Sequence, residues 1–212
     1  MLNSIPYPTK LTGKTVTLIS LDRAHFPKLI ELAQDKRIWE HYIYDGSDPE
    51  TLRSVLEFGI TEREKGNQFP FVIQHNASGE LIGSTRFLDI QPKHKKLEIG
   101  TTWVIPSYWG TAVNLECKLL LLTFCFETLG TLRVQFKTDE NNIRSRKAIE
   151  KIGGRFEGIL RNDMVRANGT VRSSACFSII DKEWSETKAM LNELVVNKIN
   201  NDRSSGKESI ES

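Results

Sequence analysis

A single apolar stretch, residues 112–129, constrains the fold more than any other part of the chain. Its composition and length predict a helix, and Gly130 supplies a C-terminal stop. Glu116 and Lys118 interrupt the most apolar part, which is also too short to span a membrane. Most of the circumference of this helix must therefore be covered by other elements of a folded domain.

The rest of the chain alternates between strand-like and helix-like patterns. Runs of β-branched and aromatic residues predict strands, and apolar residues at helical spacing predict helices. The expected order is strand 14–21, helix 22–34, helix 50–64, strands 69–75, 80–90 and 96–105, helix 112–129, strand 133–138, helix 142–152, strands 156–160 and 171–180, and helix 183–195. The three strands between 69 and 105 predict an antiparallel meander, because only short turns separate them.

Composition excludes several classes of protein. The 29 basic and 27 acidic residues nearly cancel to a net charge of +2, which lacks the basic field of a nucleic-acid binder. The three cysteines are odd in number, and no His or Cys cluster has metal-ligand spacing, so we expect buried thiols and no metal. With no apolar leader, the chain is expected to be cytoplasmic, with one domain over 1–196 and a disordered tail over 197–212.

The turn SYWGTAVN, residues 107–114, precedes the apolar helix and is a candidate anion site. Its small residues Gly110, Thr111 and Ala112 let backbone N–H groups approach a phosphate at the positive end of the helix dipole. Taken alone, the turn is more typical of an ordinary tight connection that needs a glycine. It lacks the spacing of a Walker loop or a dinucleotide fingerprint, so nucleoside triphosphates and nicotinamides are not supported.

Four segments in fixed order together carry a family resemblance. They are LEIG with Trp103, PSYWGTA at 106–112, NIRS with AIEKIG at 142–153, and EGILR at 157–161. The chain resembles the GNAT acetyltransferase superfamily, in particular the branch of ribosomal-protein-alanine N-acetyltransferases of RimJ/RimL type. The likeness spans roughly residues 10–182, and four motifs on the right elements make coincidence a poor explanation.

The resemblance implies an α/β fold with a central, mostly antiparallel mixed sheet of about seven strands. Helices would flank both faces, and the fourth and fifth strands would splay apart to admit acetyl-CoA, a co-substrate that needs no metal. The residues implied in its binding are Trp103, Val104, Ile105, Ser107, Trp109, Gly110, Thr111, Ala112, Val113, Asn114, Asn142 and Ser145. Ser107 departs from the Gln or Arg that usually begins the family's turn, which puts one side-chain contact in doubt but not the backbone cradle.

Three groups are candidates for the chemistry of acetyl transfer. The resemblance assigns the Val104 N–H to polarise the thioester carbonyl and places Ser145 near the sulfur as proton donor, since Ile149 stands where many relatives have a tyrosine. We expect Glu98 to be the base, because period-2 alternation puts it on the face of Gly100, Thr102 and Val104. The alternatives are a Glu98 paired with Lys95 or another cation, and an Asn142 that only caps a helix with Ser145 as an incidental neighbour.

An aromatic cluster and a polar loop are the candidate acceptor-binding parts. The residues are His41, Tyr42, Tyr44 and, in the loop 161–170, Arg161. Plain packing of the rings onto the sheet is the somewhat favoured explanation of the cluster, because buried rings serve cores more often than sites. The expected partner is a protein N-terminal or small-molecule amine, with a homodimer left open. The function expected is an N-acetyltransferase, and the alternative is a CoA-binding module without catalysis.

Overall fold

The computed structural model describes residues 2–204 and has a single sheet with helices on both faces. The strands are β1 (Lys10–Thr12), β2 (Val16–Ser20), β3 (Phe69–His75), β4 (Leu81–Gln91), β5 (Lys96–Val104), β6 (Arg133–Asp139), β7 (Arg155–Val165) and β8 (Val171–Ile180). Their order in the sheet is β1-β2-β3-β4-β5-β6-β8-β7. All neighbours are antiparallel except β5 and β6, so the expected mixed and mostly antiparallel sheet is confirmed.

The sheet has eight strands where about seven were expected. The additional strand is β1, three residues that pair with the edge of β2. So short a segment carries no alternating apolar pattern, which is why the sequence does not reveal it. β7 is also longer than predicted, because it continues to Val165 past a register shift after Leu160.

Two layers of helices cover the sheet. The helices are α1 (Phe26–Leu32), α2 (Pro49–Glu64), α3 (Val113–Thr123), α4 (Ile143–Lys151) and α5 (Asp181–Ser204). α1 and α2 pack with Trp39 and Trp103 on one face, and α3, α4 and α5 contribute to the larger core on the other face. The apolar helix predicted over 112–129 is α3 followed by a π-helical turn, Phe124–Leu129, and it ends at Gly130 in a left-handed conformation.

Glu116, one of the two charges that interrupt the apolar helix, fastens α3 to β2. It is 3% exposed. Its carboxylate accepts the backbone N–H groups of Lys14, Thr15 and Val16 at 2.8, 2.7 and 2.9 Å. A buried carboxylate is stabilised when hydrogen bonds surround it, so this residue holds the start of β2 on the helix layer.

The C-terminal helix is longer than predicted. α5 runs to Ser204, so the expectation of a disordered segment from residue 197 is wrong for 197–204, and 205–212 lie outside the described residues. Ile199 is buried in the larger core, and Asp202 is 2% exposed. The burial of these two side chains holds the last turns of α5 in place, although the polar composition of this segment predicts disorder. Along residues 2–204, no helix combines the length and hydropathy needed to cross a membrane.

Candidate active site

β5 and β6 part after three residue pairs, and this gap is the centre of the candidate site. Lys96–Glu98 pair with Arg133–Gln135, and beyond them β5 continues beside β4 while β6 continues beside β8. The remaining outward edge of β5 therefore has no neighbouring strand. The splay was expected between the fourth and fifth strands. It is found between β5 and β6, because the unpredicted β1 raises the number of each later strand by one.

Glu98 lies where the two strands separate. Its side chain is 12% exposed, and Oε2 accepts a hydrogen bond of 3.1 Å from Gln135 and lies 3.8 Å from the Lys137 ammonium nitrogen. Burial raises the pKa of the Glu98 carboxyl, and Lys137 and Gln135 act in the opposite direction. The cation near Glu98 is thus Lys137 and not Lys95. A carboxylate held in this way suits proton transfer.

A bulge at Thr101 changes which residues of β5 share a face. Thr101 has φ 48°, and the pairing shifts from Arg86 with Gly100 to Ser84 with Trp103. Before the bulge Leu97 and Ile99 face the α3 layer, whereas after it Val104 does. The prediction that Glu98 shares a face with Thr102 and Val104 is therefore wrong, because the extra residue reverses the alternation.

The Glu98 carboxylate nevertheless extends along β5 toward the bulge. Its Oε1 lies 3.2 Å from the position that a Cβ would take on Gly100. A side chain at Gly100 would also meet Leu88 Cδ1 at 2.8 Å. The absence of a side chain at Gly100 thus makes room for the carboxylate on the face covered by α1 and α2.

The backbone of β5 beyond the bulge presents one candidate oxyanion donor. Ile105 donates its N–H to the Ile82 carbonyl at 2.9 Å, and its carbonyl accepts the Tyr108 N–H at 3.1 Å. The backbone N–H and C=O of Ile105 are therefore both hydrogen-bonded within the chain, although the resemblance implied that Ile105 helps to bind acetyl-CoA. Successive N–H groups of a strand point to opposite edges, so that of Val104 points away from β4, into the gap.

Trp109 reaches back to that same edge of β5. Its Nε1–H donates to the Val104 carbonyl at 2.7 Å. The guanidinium carbons of Arg144 and Arg37 lie 4.3 and 5.8 Å from the centroid of the Trp109 ring, at cation–π distances. By contrast, the ring of Trp103 is 4% exposed and packs 5.5 Å from that of Trp39, so its side chain does not face the gap.

The turn before α3 has an open backbone that could bind an anion, but one of its N–H groups is already bonded to a carboxylate of the chain. Gly110 has φ 73° and no atom within 4 Å of a Cβ placed on it, so a ligand can approach its backbone. Ser107 is exposed, Thr111 Oγ1 bonds back to the Tyr108 carbonyl, and Val113 and Asn114 begin the helix. The Ala112 N–H, however, donates to Asp202 Oδ2 at 2.7 Å. The end of α5 thus places a carboxylate at the helix terminus.

The start of α4 forms the opposite side of the gap. Asn142 Oδ1 accepts the Ser145 N–H at 2.9 Å, which confirms Asn142 as the helix N-cap. Ser145 is half-buried in the first turn of the helix. Ile149, where many relatives have tyrosine, is buried in the core and has no acidic group to offer.

The aromatic candidate acceptor residues Tyr42 and Tyr44 pack on the face of the sheet that carries Glu98. Tyr42 donates its hydroxyl to the Thr102 carbonyl at 2.7 Å, and its ring lies 5.7 Å from that of Tyr44. His41 is half-exposed beside them. The Ala167 N–H in the β7–β8 turn donates to the Ile43 carbonyl at 2.8 Å, which joins the polar loop to the aromatic cluster. Arg161 is exposed and lies within β7, not in that loop as predicted.

Two buried cations near the site were not singled out from the sequence. Lys118 donates to Thr102 Oγ1 at 2.8 Å, and burial lowers the pKa of its ammonium to about 8. Arg86 is 3% exposed on β4, directly opposite Gly100. The sequence did contain a signal for Lys118, because a charged residue within an apolar helix is expected to be buried. Arg86 had no such signal, because a single arginine in a strand that also contains Asp89 does not indicate burial.

Comparison with models of known protein families establishes the family of this chain. Residues 15–155 match the family model described as an acetyltransferase (GNAT) domain. The chain belongs to the GNAT acetyltransferase family. The resemblance drawn from four short motifs is thereby confirmed, and so is the GNAT fold.

Individual GNAT relatives support the assignment. The chain is 31% identical over 108 residues to the uncharacterized N-acetyltransferase YoaA of Bacillus subtilis, which covers 51% of this chain and 60% of that protein. A GCN5-related N-acetyltransferase from Brucella melitensis is 25% identical with a TM-score of 0.81, covering 90% of this chain and 86% of that one. RimL, a ribosomal L7/L12 alpha-N-protein acetyltransferase solved with coenzyme A, shares the fold at 20% identity and TM-score 0.71, covering 82% and 99%.

Proposed function

We propose that this GNAT protein transfers the acetyl group of acetyl-CoA to an amine by direct attack in a ternary complex. The observation that carries the proposal is the buried Glu98 carboxylate at the parting of β5 and β6, on the strand whose Val104 N–H points into the same gap. A base and an oxyanion donor on one strand are the two groups that aminolysis of a thioester requires. The acceptor proposed is a protein N-terminal or small-molecule amine.

The residues present fit acetyl-CoA as the donor. The open backbone at Gly110 and the N-terminus of α3 would hold the pyrophosphate, and Asn142 and Ser145 would line the pantetheine arm. The amine must lose a proton before it attacks, and Glu98 accepts that proton directly or through a water molecule. The new bond joins nitrogen to the acetyl carbon and the carbon–sulfur bond breaks. The thiolate takes a proton from Ser145 or water, and the second proton lost by the nitrogen restores that donor.

A second candidate is a CoA-binding module without catalysis. It is favoured by Ile149, which leaves the usual tyrosine acid absent, and by Ser107, which stands where the family's turn usually begins with Gln or Arg. A CoA thiolate is a good leaving group, so the missing acid slows transfer without preventing it. The first candidate is therefore preferred.

The two candidates are separated by a free-thiol assay combined with calorimetry. Purified protein and acetyl-CoA are mixed with a panel of peptides and small amines, and Glu98→Gln is compared with native protein. We expect CoA release, a kcat lowered about 100-fold or more in the variant, and an unchanged CoA Kd. CoA binding without release on any acceptor would support the module instead, and an unchanged kcat would remove Glu98 from the mechanism.

A further inference from the structure

Arg86 is a buried cation without a carboxylate partner. It is 3% exposed, and none of the ion pairs formed among residues 2–204 includes it. Its one side-chain hydrogen bond runs from a terminal nitrogen to Gln68 Oε1 at 3.2 Å, and its Nε–H has no partner in the same part of the chain. Buried charges in proteins are normally paired, because removing an unpaired charge from water is strongly unfavourable.

The Arg86 guanidinium fits against α2 because residue 59 is a glycine. A Cβ placed on Gly59 of α2 would lie 3.0 Å from an Arg86 terminal nitrogen and 3.3 Å from its central carbon. The guanidinium therefore packs closely against α2 at Gly59, where a Cβ would crowd it. Such close packing fixes the orientation of the planar donor fork, which is the arrangement that recognises an oxyanion.

Other unsatisfied donors lie on the same side of the sheet. The Tyr44 hydroxyl and the Arg172 Nε–H are also buried without a partner within the described residues. Arg86 and Arg172 both lie close enough to Tyr42 for their charges to act on its pKa, and Arg172 also acts on that of Glu98. We refer to Tyr44, Arg86 and Arg172 as the donor cluster.

The donor cluster lies beside the proposed base. Arg86 is directly opposite Gly100, and the Glu98 Oε1 atom lies over Gly100. Glu98 and Arg86 are therefore diagonal neighbours on one face, with backbone positions about 7–8 Å apart. One small molecule can place a cationic amine at Glu98 and an anionic group at Arg86.

We propose that the acceptor is a zwitterion, an amine that also carries a carboxylate or phosphate, and that the donor cluster binds its anionic group. The inference rests on the proposed acetyl transfer and adds the chemical class of the acceptor. The anion neutralises the buried Arg86 guanidinium, so the cost of burying that charge is recovered only when acceptor binds.

The test compares acceptors in matched pairs. Free amino acids are compared with their C-terminal amides, and phosphoethanolamine with ethanolamine, so the two arms distinguish carboxylate from phosphate. We expect native protein to prefer the anionic member of one pair 10- to 100-fold in kcat/KM. Arg86→Gln should abolish that preference, while Arg23→Gln, at an exposed arginine paired with Glu57, should retain it.

Thermal unfolding supplies a readout that a structural role would not give. Without acceptor, Arg86→Gln should have a Tm equal to or above that of native protein, because it removes an unpaired buried charge. The preferred anionic acceptor should raise the Tm of native protein and not of the variant. Equal rates on both members of every pair, or a strongly lowered Tm in the variant, would overturn the proposal. Transfer to neutral amines in that case would leave the proposed function intact.

Discussion

The guanidinium of Arg144 lies 4.3 Å from the centroid of the Trp109 ring, and the contact joins the start of α4 to the turn before α3 across the gap between β5 and β6. The same indole donates to the Val104 carbonyl. Trp109 thus lies along the edge of β5 that the proposed pantetheine site would use, so we expect the indole to move when CoA binds.

This arrangement predicts a fluorescence signal for CoA binding. Trp109 is half-exposed, whereas Trp39, Trp103 and Trp184 are buried. Titration with CoA should change the tryptophan emission, and Trp109→Phe should remove most of that change because the indole that moves is gone. Trp184→Phe is the control and should keep it. A full signal in Trp109→Phe would show that the indole stays in place.

Asp202 is expected to oppose CoA binding. Its carboxylate accepts the Ala112 N–H, a group that the pyrophosphate would also use. Asp202→Asn should lower the CoA Kd about three- to tenfold in calorimetry and lower the free energy of unfolding by about 0.5–2 kcal/mol, because a helix cap is weakened. Glu193→Gln, exposed on the same helix, should change neither quantity. Weaker CoA binding in Asp202→Asn would contradict the competition.

Lys137 should set the acidic limit of activity. Its ammonium lowers the pKa of the Glu98 carboxyl, which burial raises, so removing the charge lets Glu98 bind its proton at higher pH. Lys137→Met should therefore move the acidic limb of the kcat/KM profile to higher pH, since the base form is lost sooner as pH falls. Lys137→Arg retains the charge and should retain the limb. A limb that stays fixed in Lys137→Met would indicate that another group titrates.

Glu116 should contribute to stability and not to chemistry. Its carboxylate accepts three backbone N–H groups at the start of β2, and glutamine cannot accept all of them. Glu116→Gln should lower the free energy of unfolding by about 2–4 kcal/mol in urea titrations. Exposed Glu186→Gln should have no measurable effect. A loss below about 0.5 kcal/mol would mean that these three bonds are replaced by others.

The sequence could predict most elements because their patterns are long and regular. The meander between residues 69 and 105, the apolar helix and its stop at Gly130 follow from periodicity and from single residues with a backbone preference. It could not predict the bulge at Thr101, because a threonine with positive φ has no compositional signal. The same limit applies to Arg86, whose burial depends on packing against Gly59, a residue distant in sequence.

The bulge at Thr101 also determines which positions of β5 should be varied to change acceptor preference. A saturation library built on strict alternation from Glu98 would include Gly100, Thr102 and Val104, and two of these side chains belong to the α3 side of the sheet. Beyond the bulge, the position on the acceptor side is Trp103. Trp103 itself is packed in the core under α1 and α2, so a library limited to Glu98 and Gly100 would sample this face of β5 and leave that core intact.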